Sequence, residues 1–447
     1  MNGIAGISEK AVTLAEKLGA DEAEAYVVKS VVKSVSFSDK IELGNTGIHE
    51  GLGIRVIVDK RLGFRSVSSL REEDVEEAIK IAIDVAKAGM KDPDWVQMSD
   101  NFGSSSVEGI YCKDTANISP NKILDAVGNA IVTVHKCDNR ASPTEGHLTT
   151  SKGSMAICNS HGSEMFRSGT HASFWINIKA EDGLKKAISA ESSSKRSWHE
   201  LKLEEISMTA AERAVKMLNA RPITSGQYAV ILGNDVSAAI VNLMFGRTIT
   251  AEAVQKKRSP WVEKRGVNMA SDSFSLTDDG VLKGGIRTKP FDDEGTPQQK
   301  TNIIKKGVLQ DFLYDSYTAN KEKRVSTGNA VRSYGSLPKP GTTNLVVSEG
   351  DSRIDEMIKE TSRGICVLEV IGEWLSNPIS GQLSATVTNG FLIEDGELTT
   401  PVKGVIVSGN FFEILESGIE MIGDDVDNSG TCYCPSLKIS ALNIAGA

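Results

Sequence analysis

The sequence lacks any long apolar run. No segment approaches the roughly 18 consecutive apolar residues that a membrane-spanning helix needs. The N-terminus continues directly into Ser8-Glu9-Lys10, which is typical of a helix start and not of a signal peptide. The six cysteines are scattered over 447 residues instead of framing a small domain, a pattern typical of reduced thiols. We therefore expect a cytoplasmic protein without a membrane partner.

The chain also lacks an excess of positive charge. Its formal net charge is -9 at pH 7, and its isoelectric point is about 5.4. The short basic cluster Lys256-Lys257-Arg258 cannot reverse this balance and is typical of a solvated helix end. No nucleic-acid partner is predicted, because proteins that bind nucleic acids concentrate positive charge on one face.

The signatures of several enzyme classes are missing as well. The sequence contains no Gly-x-Ser-x-Gly nucleophile elbow, no phosphate-binding Gly-Lys-Ser loop and no dinucleotide fingerprint. The pairs Cys158/His161 and Cys432/Cys434 have metal-ligand spacing, but neither has a second pair at zinc-finger distance. Packed thiols are the better prediction for these cysteines.

What is present predicts an α+β fold with two domains, since 447 residues exceed the usual size of one core. In residues 1–220 we expect helices packed on antiparallel strands, and in residues 221–447 a mostly antiparallel β-sheet with a few helices. The short polar segment Arg221 to Gly226 marks the boundary. A capping box at Ser69-Leu70-Arg71-Glu72 and the dipeptide Ser119-Pro120 are predicted to begin two helices of the first domain.

The stretch from Asn234 to Ser259 is the part of the chain on which the functional interpretation depends. Apolar residues recur at helical spacing from Val236 to Met244, with Asp235 and Ser237 near the start as acceptors for free amide groups. An amphipathic helix over residues 234–247 is therefore predicted. Without flanking motifs, such a helix is an ordinary packing element.

Several flanking motifs resemble a known family. The first domain contributes a glycine-rich hairpin, and the second contributes a turn, two loops and two strand segments. The motifs are Gly51-Leu52-Gly53-Ile54-Arg55-Val56, Phe291-Asp292-Asp293-Glu294-Gly295-Thr296-Pro297, Ser326-Thr327-Gly328-Asn329-Ala330-Val331-Arg332, Thr343-Asn344-Leu345, Gly390-Phe391-Leu392-Ile393-Glu394 and Pro435-Ser436-Leu437-Lys438-Ile439. In that order they are similar to the TldD/PmbA peptidase family over essentially the whole chain.

The resemblance identifies the predicted helix with the metalloprotease helix of the family, which reads His-Glu-x-x-x-His followed by a later carboxylate. The matching positions hold Asn242, Leu243, Arg247 and Thr250. A catalytic zinc needs about three N, O or S ligands and an open position for water. Arg247 is a permanent cation, and Leu243 cannot act as the general base. The resemblance therefore implies a chain without zinc, without another cofactor and without a catalytic residue.

Three functional readings remain open. The chain resembles the metal-free PmbA (TldE) type of subunit, which implies a role beside a zinc-bearing TldD-type paralogue in a cytoplasmic protease for small or unfolded peptides. The alternative is a stand-alone homodimer that binds an extended peptide at a sheet edge without cleaving it. The third is an active hydrolase with His161, His171 and Cys432 as ligands. Cys432 ends Ser429-Gly430-Thr431-Cys432, a setting similar to that of the family's zinc-ligand cysteine, and is otherwise a lone remnant.

A peptide groove is predicted beside the degenerate helix, with Arg247, Asp292, Asp293, Gly328 and Asn329 as candidate lining residues. Arg247 either donates two parallel hydrogen bonds to a peptide carboxylate or forms a structural ion pair with Asp292 or Asp293. The adjacent carboxylates favour a turn over a hard-cation site, while Gly328 and Asn329 suit either a hairpin turn or a ligand loop. The short strands of the second domain also predict a dimer or larger assembly.

Overall fold

A computed structural model of the protein describes residues 4–427 and 430–446. The helices are α1 (Ile7–Lys17), α2 (Glu72–Ala88), α3 (Lys113–Asn117), α4 (Pro120–Cys137), α5 (Leu203–Lys216), α6 (Asn234–Phe245), α7 (Ala251–Gln255), α8 (Ser316–Lys321), α9 (Ile354–Lys359) and α10 (Phe411–Glu413). The strands of the first half are β1 (Glu22–Phe37), β2 (Ile41–Val58), β3 (Arg61–Val67), β4 (Ala141–Asn159), β5 (Gly162–Asp182) and β6 (Lys185–Lys195). Those of the second half are β7 (Gly226–Leu232), β8 (Leu276–Asp279), β9 (Lys300–Lys305), β10 (Val308–Leu309), β11 (Ala330–Val331), β12 (Lys339–Pro340), β13 (Leu345–Val347), β14 (Arg363–Ile371), β15 (Gln382–Glu394), β16 (Glu397–Val402), β17 (Val405–Asn410), β18 (Ile419–Ile422), β19 (Cys432–Tyr433) and β20 (Leu437–Ala445).

The first half forms a six-stranded antiparallel sheet in the order β3-β2-β1-β4-β5-β6. Successive side chains of a strand point to opposite faces. On β1, Ala23 and Val27 pack with α1 and α2, and Phe37 packs with α4 and α5 further along the same face. Four long helices therefore cover one face of the sheet. The opposite face carries Glu24 and Tyr26.

Local sequence predicts two helix starts in this half. Both helices are present, but only one of the two predicted caps forms. At α4 the Ser119 hydroxyl accepts a hydrogen bond from the Lys122 amide (3.3 Å), and a proline occupies the first turn. The capping box over residues 69–72 is wrong, because the Ser69 hydroxyl accepts from the Arg71 amide (3.3 Å) before the helix begins. Acidic residues in the first turn of α2 stabilise its free amides instead.

The second half contains two larger sheets and a pair of short strands. One sheet runs β14-β7-β20-β17-β15-β16 with β18 paired to β20, and a further pairing of β14 with β15 joins its strands into a closed cycle. The other runs β10-β9-β8-β13-β19, while β11 pairs with β12. Most pairs are antiparallel, and β7/β14 and β13/β19 are parallel. The predicted α+β class with a mostly antiparallel second half is confirmed.

The two halves meet at the helix-free face of the six-stranded sheet. Tyr26 from β1 packs against Phe291 of the second half. Beside them, Arg55 from β2 lies 3.0 Å from Glu24 and 3.1 Å from Glu294, and all three charged side chains are buried. This interface positions the segments that line the cavities described below.

Close approach of the second half explains a glycine of the hairpin motif. A Cβ atom at Gly53 would lie 2.3 Å from the backbone oxygen of Tyr334. Any side chain at this position would push the second half away from β2, so the motif needs glycine here.

The largest hydrophobic core belongs to the second half, with buried residues from Tyr228 to Ile444. The division of the chain between residues 220 and 221 is compatible with this core and stays a prediction. Among the described residues, no helix combines the length and the apolar character needed to cross a bilayer.

Candidate functional site

The stretch from Asn234 to Ser259 folds as one unit around the end of α6. The helix ends at Phe245, two residues before its predicted end. The Ser259 hydroxyl donates to the carbonyl oxygen of Thr248 (2.7 Å), and the Trp261 ring stacks on Phe245 with 5.5 Å between ring centroids. These contacts fix the chain that follows the helix, where two of the candidate positions lie.

The predicted capping acceptors at the start of α6 act differently. The Ser237 hydroxyl donates to the carbonyl oxygen of Leu232 (3.2 Å). The Asp235 amide donates to the side chain of Asn234 (2.8 Å), so its own carboxylate caps nothing. The prediction that Asp235 and Ser237 accept hydrogen bonds from free amides is therefore wrong, because the side chain of Asn234 accepts from the Asp235 amide and Ser237 acts as a donor.

The four degenerate zinc positions do not form one site, because Asn242 lines one cavity while Arg247 and Thr250 line another. Asn242 is exposed on the last turn of α6, Leu243 is half-buried next to it, and Arg247 is exposed beyond the helix end. Thr250 is buried, and its hydroxyl accepts from the Ala253 amide (3.3 Å) and donates to the carbonyl oxygen of Arg247 (2.9 Å). At the position of the family's later carboxylate, Thr250 thus serves as the N-cap of α7.

Asn242 and Cys432 line the same small cavity. This cavity has a volume of about 210 Å³ and is also lined by Asp235 and Cys434. Burial raises the pKa of the Cys432 thiol to about 12, so the thiol is neutral at physiological pH. Ligation of a zinc ion by this thiol would require the loss of its proton. Ser429, the first residue of the predicted cysteine setting, lies outside the described residues.

The two histidines of the hydrolase reading lie elsewhere. His161, at the turn between β4 and β5, contacts Glu22 through Nε2 (3.1 Å). His171, within β5, lines a cavity of about 340 Å³, where burial lowers the pKa of its imidazole. His161, His171 and Cys432 therefore do not form one site. In residues 4–427 and 430–446, no three His, Cys, Asp or Glu side chains are grouped to hold a metal ion.

Arg247 and Thr250 line a much larger cavity, with a volume of about 1020 Å³. Asp293 also lines it, as do Lys339 and the segment from Asn377 to Ile379. Arg247 forms no ion pair with any residue that the structure describes. Its guanidinium is therefore available to a ligand in this cavity.

Asp293 is already held by two cations. Its Oδ1 is paired with the guanidinium of Arg167 and lies 3.1 Å from Nζ of Lys289. Burial opposes ionisation of this carboxyl, but Lys289 and Arg167 outweigh burial and lower its pKa to about 2. Asp293 is thus paired with Arg167 and Lys289, and the structural ion pair predicted between Arg247 and Asp293 does not form.

Asp292 shapes the turn behind the cavity wall. Its Oδ1 accepts from the amides of Glu294 (2.9 Å) and Thr296 (3.0 Å), and its Oδ2 accepts from the amide of Ala330 (2.9 Å). The side chain is fully buried and is not among the residues lining the cavity. Residues 292–295 form the predicted turn, and Asp292 is unavailable to Arg247.

Gly328 and Asn329 also lie behind the wall. Gly328 has a φ of +72°, and a Cβ atom there would lie 2.3 Å from the backbone oxygen of Pro297. The side-chain amide of Asn329 donates to Oδ1 of Asp278 (2.7 Å). Both residues therefore support the loop structurally, and neither lines the cavity.

Sequence reasoning missed most of the basic residues in the wall of the large cavity. These residues come from four segments of the second half that are separated in the chain, and no periodicity links those segments. They are Lys256, Arg258, Arg287, Lys289, Arg332 and Lys339. Arg332 stands at the end of a recognised motif, and Lys256 and Arg258 belong to the basic cluster that was interpreted as a solvated helix end.

Family models match almost the whole chain. The PmbA/TldA metallopeptidase domain 1 matches residues 23–86, the central domain residues 68–218 and the C-terminal domain residues 225–446. The chain belongs to the TldD/PmbA family. The resemblance seen in the sequence is thereby confirmed.

Full-length relatives within the TldD/PmbA family agree with this assignment. The metalloprotease PmbA of Escherichia coli O157:H7 is 26% identical over 98% of this chain and 96% of its own length. An uncharacterised protein of Methanocaldococcus jannaschii is 29% identical over 96% of this chain and 97% of its own length. The crystal structure of TldE from Thermococcus kodakarensis has a TM-score of 0.91 at 27% identity, covering 99% of this chain and 100% of that chain.

The TldD/PmbA motifs meet in the folded chain. Arg55 of the hairpin motif contacts Glu294 of the turn motif (3.1 Å). Asn329 and Thr343, from two further motifs, both donate to Oδ1 of Asp278 (2.7 and 2.6 Å). The motifs therefore build the interface between the halves and the support of the large cavity.

Proposed function

We propose that this chain is the metal-free, non-catalytic subunit of a cytoplasmic protease for small or unfolded peptides, and that a zinc-bearing TldD-type paralogue supplies the catalytic site. The observation that carries the proposal is the setting of Arg247. At the position of the second zinc histidine, the chain has an exposed guanidinium in the wall of the 1020 Å³ cavity. A permanent cation repels a zinc ion and cannot ligate it.

The neighbouring positions support the same role. Hydrolysis by a zinc peptidase needs a metal-bound water and a general base that takes its proton. The position of the base holds Leu243, whose side chain has no titratable group. The residues of this chain are therefore suited to binding a peptide and not to cleaving it.

The large cavity is the proposed peptide groove. Its volume of about 1020 Å³ is at the upper end of the range for sites that take drug-sized ligands, which suits a short peptide. The planar guanidinium of Arg247 can donate two parallel hydrogen bonds to a peptide carboxylate. The negative charge of Asp293 is balanced by Arg167 and Lys289, so Asp293 does not compete with the peptide carboxylate for Arg247.

An exposed apolar ridge, defined as Ile371, Trp374, Leu375 and Ile379, is the proposed contact with the paralogue. These side chains are 51, 60, 79 and 56% exposed, respectively. Exposed apolar residues in one segment are typical of a protein contact surface, and aromatic residues are enriched in such surfaces. Ile379 also lines the large cavity, so a partner on the ridge would lie at the edge of the groove.

Co-purification from the native cell tests the proposal. With an affinity tag on this chain, we expect an equimolar partner whose sequence contains His-Glu-x-x-x-His. Recovery of this chain only with further copies of itself would contradict the proposal and would favour the stand-alone homodimeric peptide binder.

A further inference from the structure

The large cavity carries positive charge in an otherwise acidic protein. Seven basic side chains line it against two carboxylates, although the whole chain has a net charge of -9. Three of these cations have acidic partners. The pairs are Lys256 with Glu252, Lys289 with Asp293 and Arg332 with Glu24. Both carboxylates that line the cavity, Glu252 and Asp293, are therefore already in ion pairs.

The other four cations have no such partner. Arg247, Arg258, Arg287 and Lys339 are exposed and form no ion pair with the described residues. Arg287 donates from Nη1 only to the carbonyl oxygen and the hydroxyl of Thr342 (3.2 and 3.1 Å). The positive charge of the cavity is therefore unbalanced and faces solvent.

Arg332 adds a buried cation to the cavity wall. Its side chain is 1% exposed, its Nη1 lies 2.8 Å from Oε1 of Glu24, and its guanidinium lies over the Tyr26 ring at 4.5 Å. Its Nε and Nη2 nevertheless donate no hydrogen bond to the part of the chain that the structure describes. These donors are shut off from solvent beside Glu24, so Arg332 supports the cavity wall and the exposed cations are the ones that a ligand can reach.

The 340 Å³ cavity is also lined by positively charged side chains. It shares Lys289 with the large cavity and is also lined by Lys29, Arg167 and Arg196, while none of its described lining residues is a carboxylate. The guanidinium of Arg196 donates only to three backbone carbonyl oxygens. Burial, followed by the charge of Arg167, lowers the pKa of Arg196 to about 10.

We infer that the two cavities form one binding path for an acidic peptide segment, with several Asp or Glu side chains along an extended chain. The inference rests on the proposed function, because it names the class of peptide that the groove takes. An extended peptide advances about 3.3 Å per residue and alternates its side chains, so its carboxylates can reach cations on opposite walls. Val331, Pro340 and Ile379 give the same groove apolar contacts for the peptide backbone and intervening side chains.

Binding of labelled peptides to the intact chain tests this inference. Two peptides of identical length are compared by fluorescence anisotropy, one with four Asp or Glu residues and one with Asn or Gln in their place. We expect at least roughly tenfold tighter binding of the acidic peptide at low salt, and a smaller difference as salt screens the charges. Equal affinities, or tighter binding of a single-stranded oligonucleotide of the same charge, would overturn the inference.

A pair of matched double variants locates the binding. Arg258→Gln with Lys339→Gln removes two unpaired cavity cations, whereas Arg221→Gln with Lys305→Gln removes two exposed cations that do not line either cavity. We expect roughly tenfold weaker binding of the acidic peptide in the first variant only. Equal losses of affinity in both variants would show an effect of net charge alone and would contradict binding in the two cavities.

The inference and the proposed function fail in different experiments. Recovery of the zinc-bearing paralogue decides the proposed function without any peptide. If the paralogue is recovered and the two peptides bind equally, only the preference for acidic peptides is rejected.

Discussion

Arg55 of the first half and Glu294 of the second form a buried ion pair, with 3.1 Å between Nη2 and Oε1. The two side chains are 4% and 0% exposed. Glu294 also accepts from the amide (2.9 Å) and the hydroxyl (2.6 Å) of Ser316. The pair therefore connects the helix-covered sheet to the turn that supports the large cavity.

Arg55→Met should destabilise the protein strongly. It leaves Glu24 and Glu294 buried without their shared cation, which costs about 3–5 kcal/mol. The control Arg61→Met breaks an exposed pair with Asp59 and should cost about 0–1 kcal/mol. Urea unfolding of both variants measures the difference, and equal losses would contradict the role given to the buried pair.

Arg247→Met should leave folding unchanged and weaken peptide binding. The side chain is exposed and has no ion pair in the described residues, so its loss exposes no buried charge. Loss of a charge-assisted contact should raise the Kd roughly tenfold. Arg247→Lys keeps the charge but loses the planar fork, so it should bind with intermediate affinity. A lower melting temperature with unchanged Kd would instead indicate a structural residue.

Asp315→Asn should change how stability depends on pH. Burial, and then the charge of Glu294, raises the pKa of Asp315 from 3.8 to about 7. The folded state thus holds this proton more tightly than the unfolded state, and stability falls as pH rises between these two values. Asparagine keeps the N-cap of α8 without the charge, so the stability of the variant relative to wild type should rise by on the order of 4 kcal/mol from pH 4 to pH 8. Melting curves of both proteins at pH 4 and pH 8 test this. An equal loss of stability in the variant and the wild type on going from pH 4 to pH 8 would contradict it.

Leu375→Ser should weaken assembly with the paralogue. Leu375 is 79% exposed on the apolar ridge, and removing it reduces the apolar area available to a partner. Leu184→Ser is the control, because Leu184 is fully exposed at the turn between β5 and β6 and does not belong to the ridge. Light scattering of the mixed subunits should show a loss of complex for Leu375→Ser alone. If Leu375→Ser leaves the complex unchanged, the paralogue binds a surface other than the ridge.

Sequence reasoning succeeded where the physical causes are local. Ser119 acts on an amide three residues away, so its place directly before Pro120 was enough to predict the start of α4. It failed at Ser69, because two nearby amides compete for one hydroxyl and the pattern alone does not show which one wins.

The candidate site was predictable only in part for the same reason. Motif matching located Arg247 and Asp293, but the cavity that both line is completed by residues such as Arg287 and Lys339, which only the tertiary fold brings near. The contact between Glu24 and Arg332 joins opposite parts of the chain. Such pairs depend on how the two halves dock, and no spacing rule in the sequence encodes that arrangement.

The most direct test of the central claim is zinc content and peptide cleavage, measured on this chain alone, on the zinc-bearing paralogue alone and on their mixture. After dialysis against a weak chelator, we expect no stoichiometric zinc in this chain, no cleavage by it alone, and cleavage by the mixture that depends on the zinc of the paralogue. Equimolar zinc in this chain that is lost in Cys432→Ala, together with cleavage by this chain alone, would contradict the account.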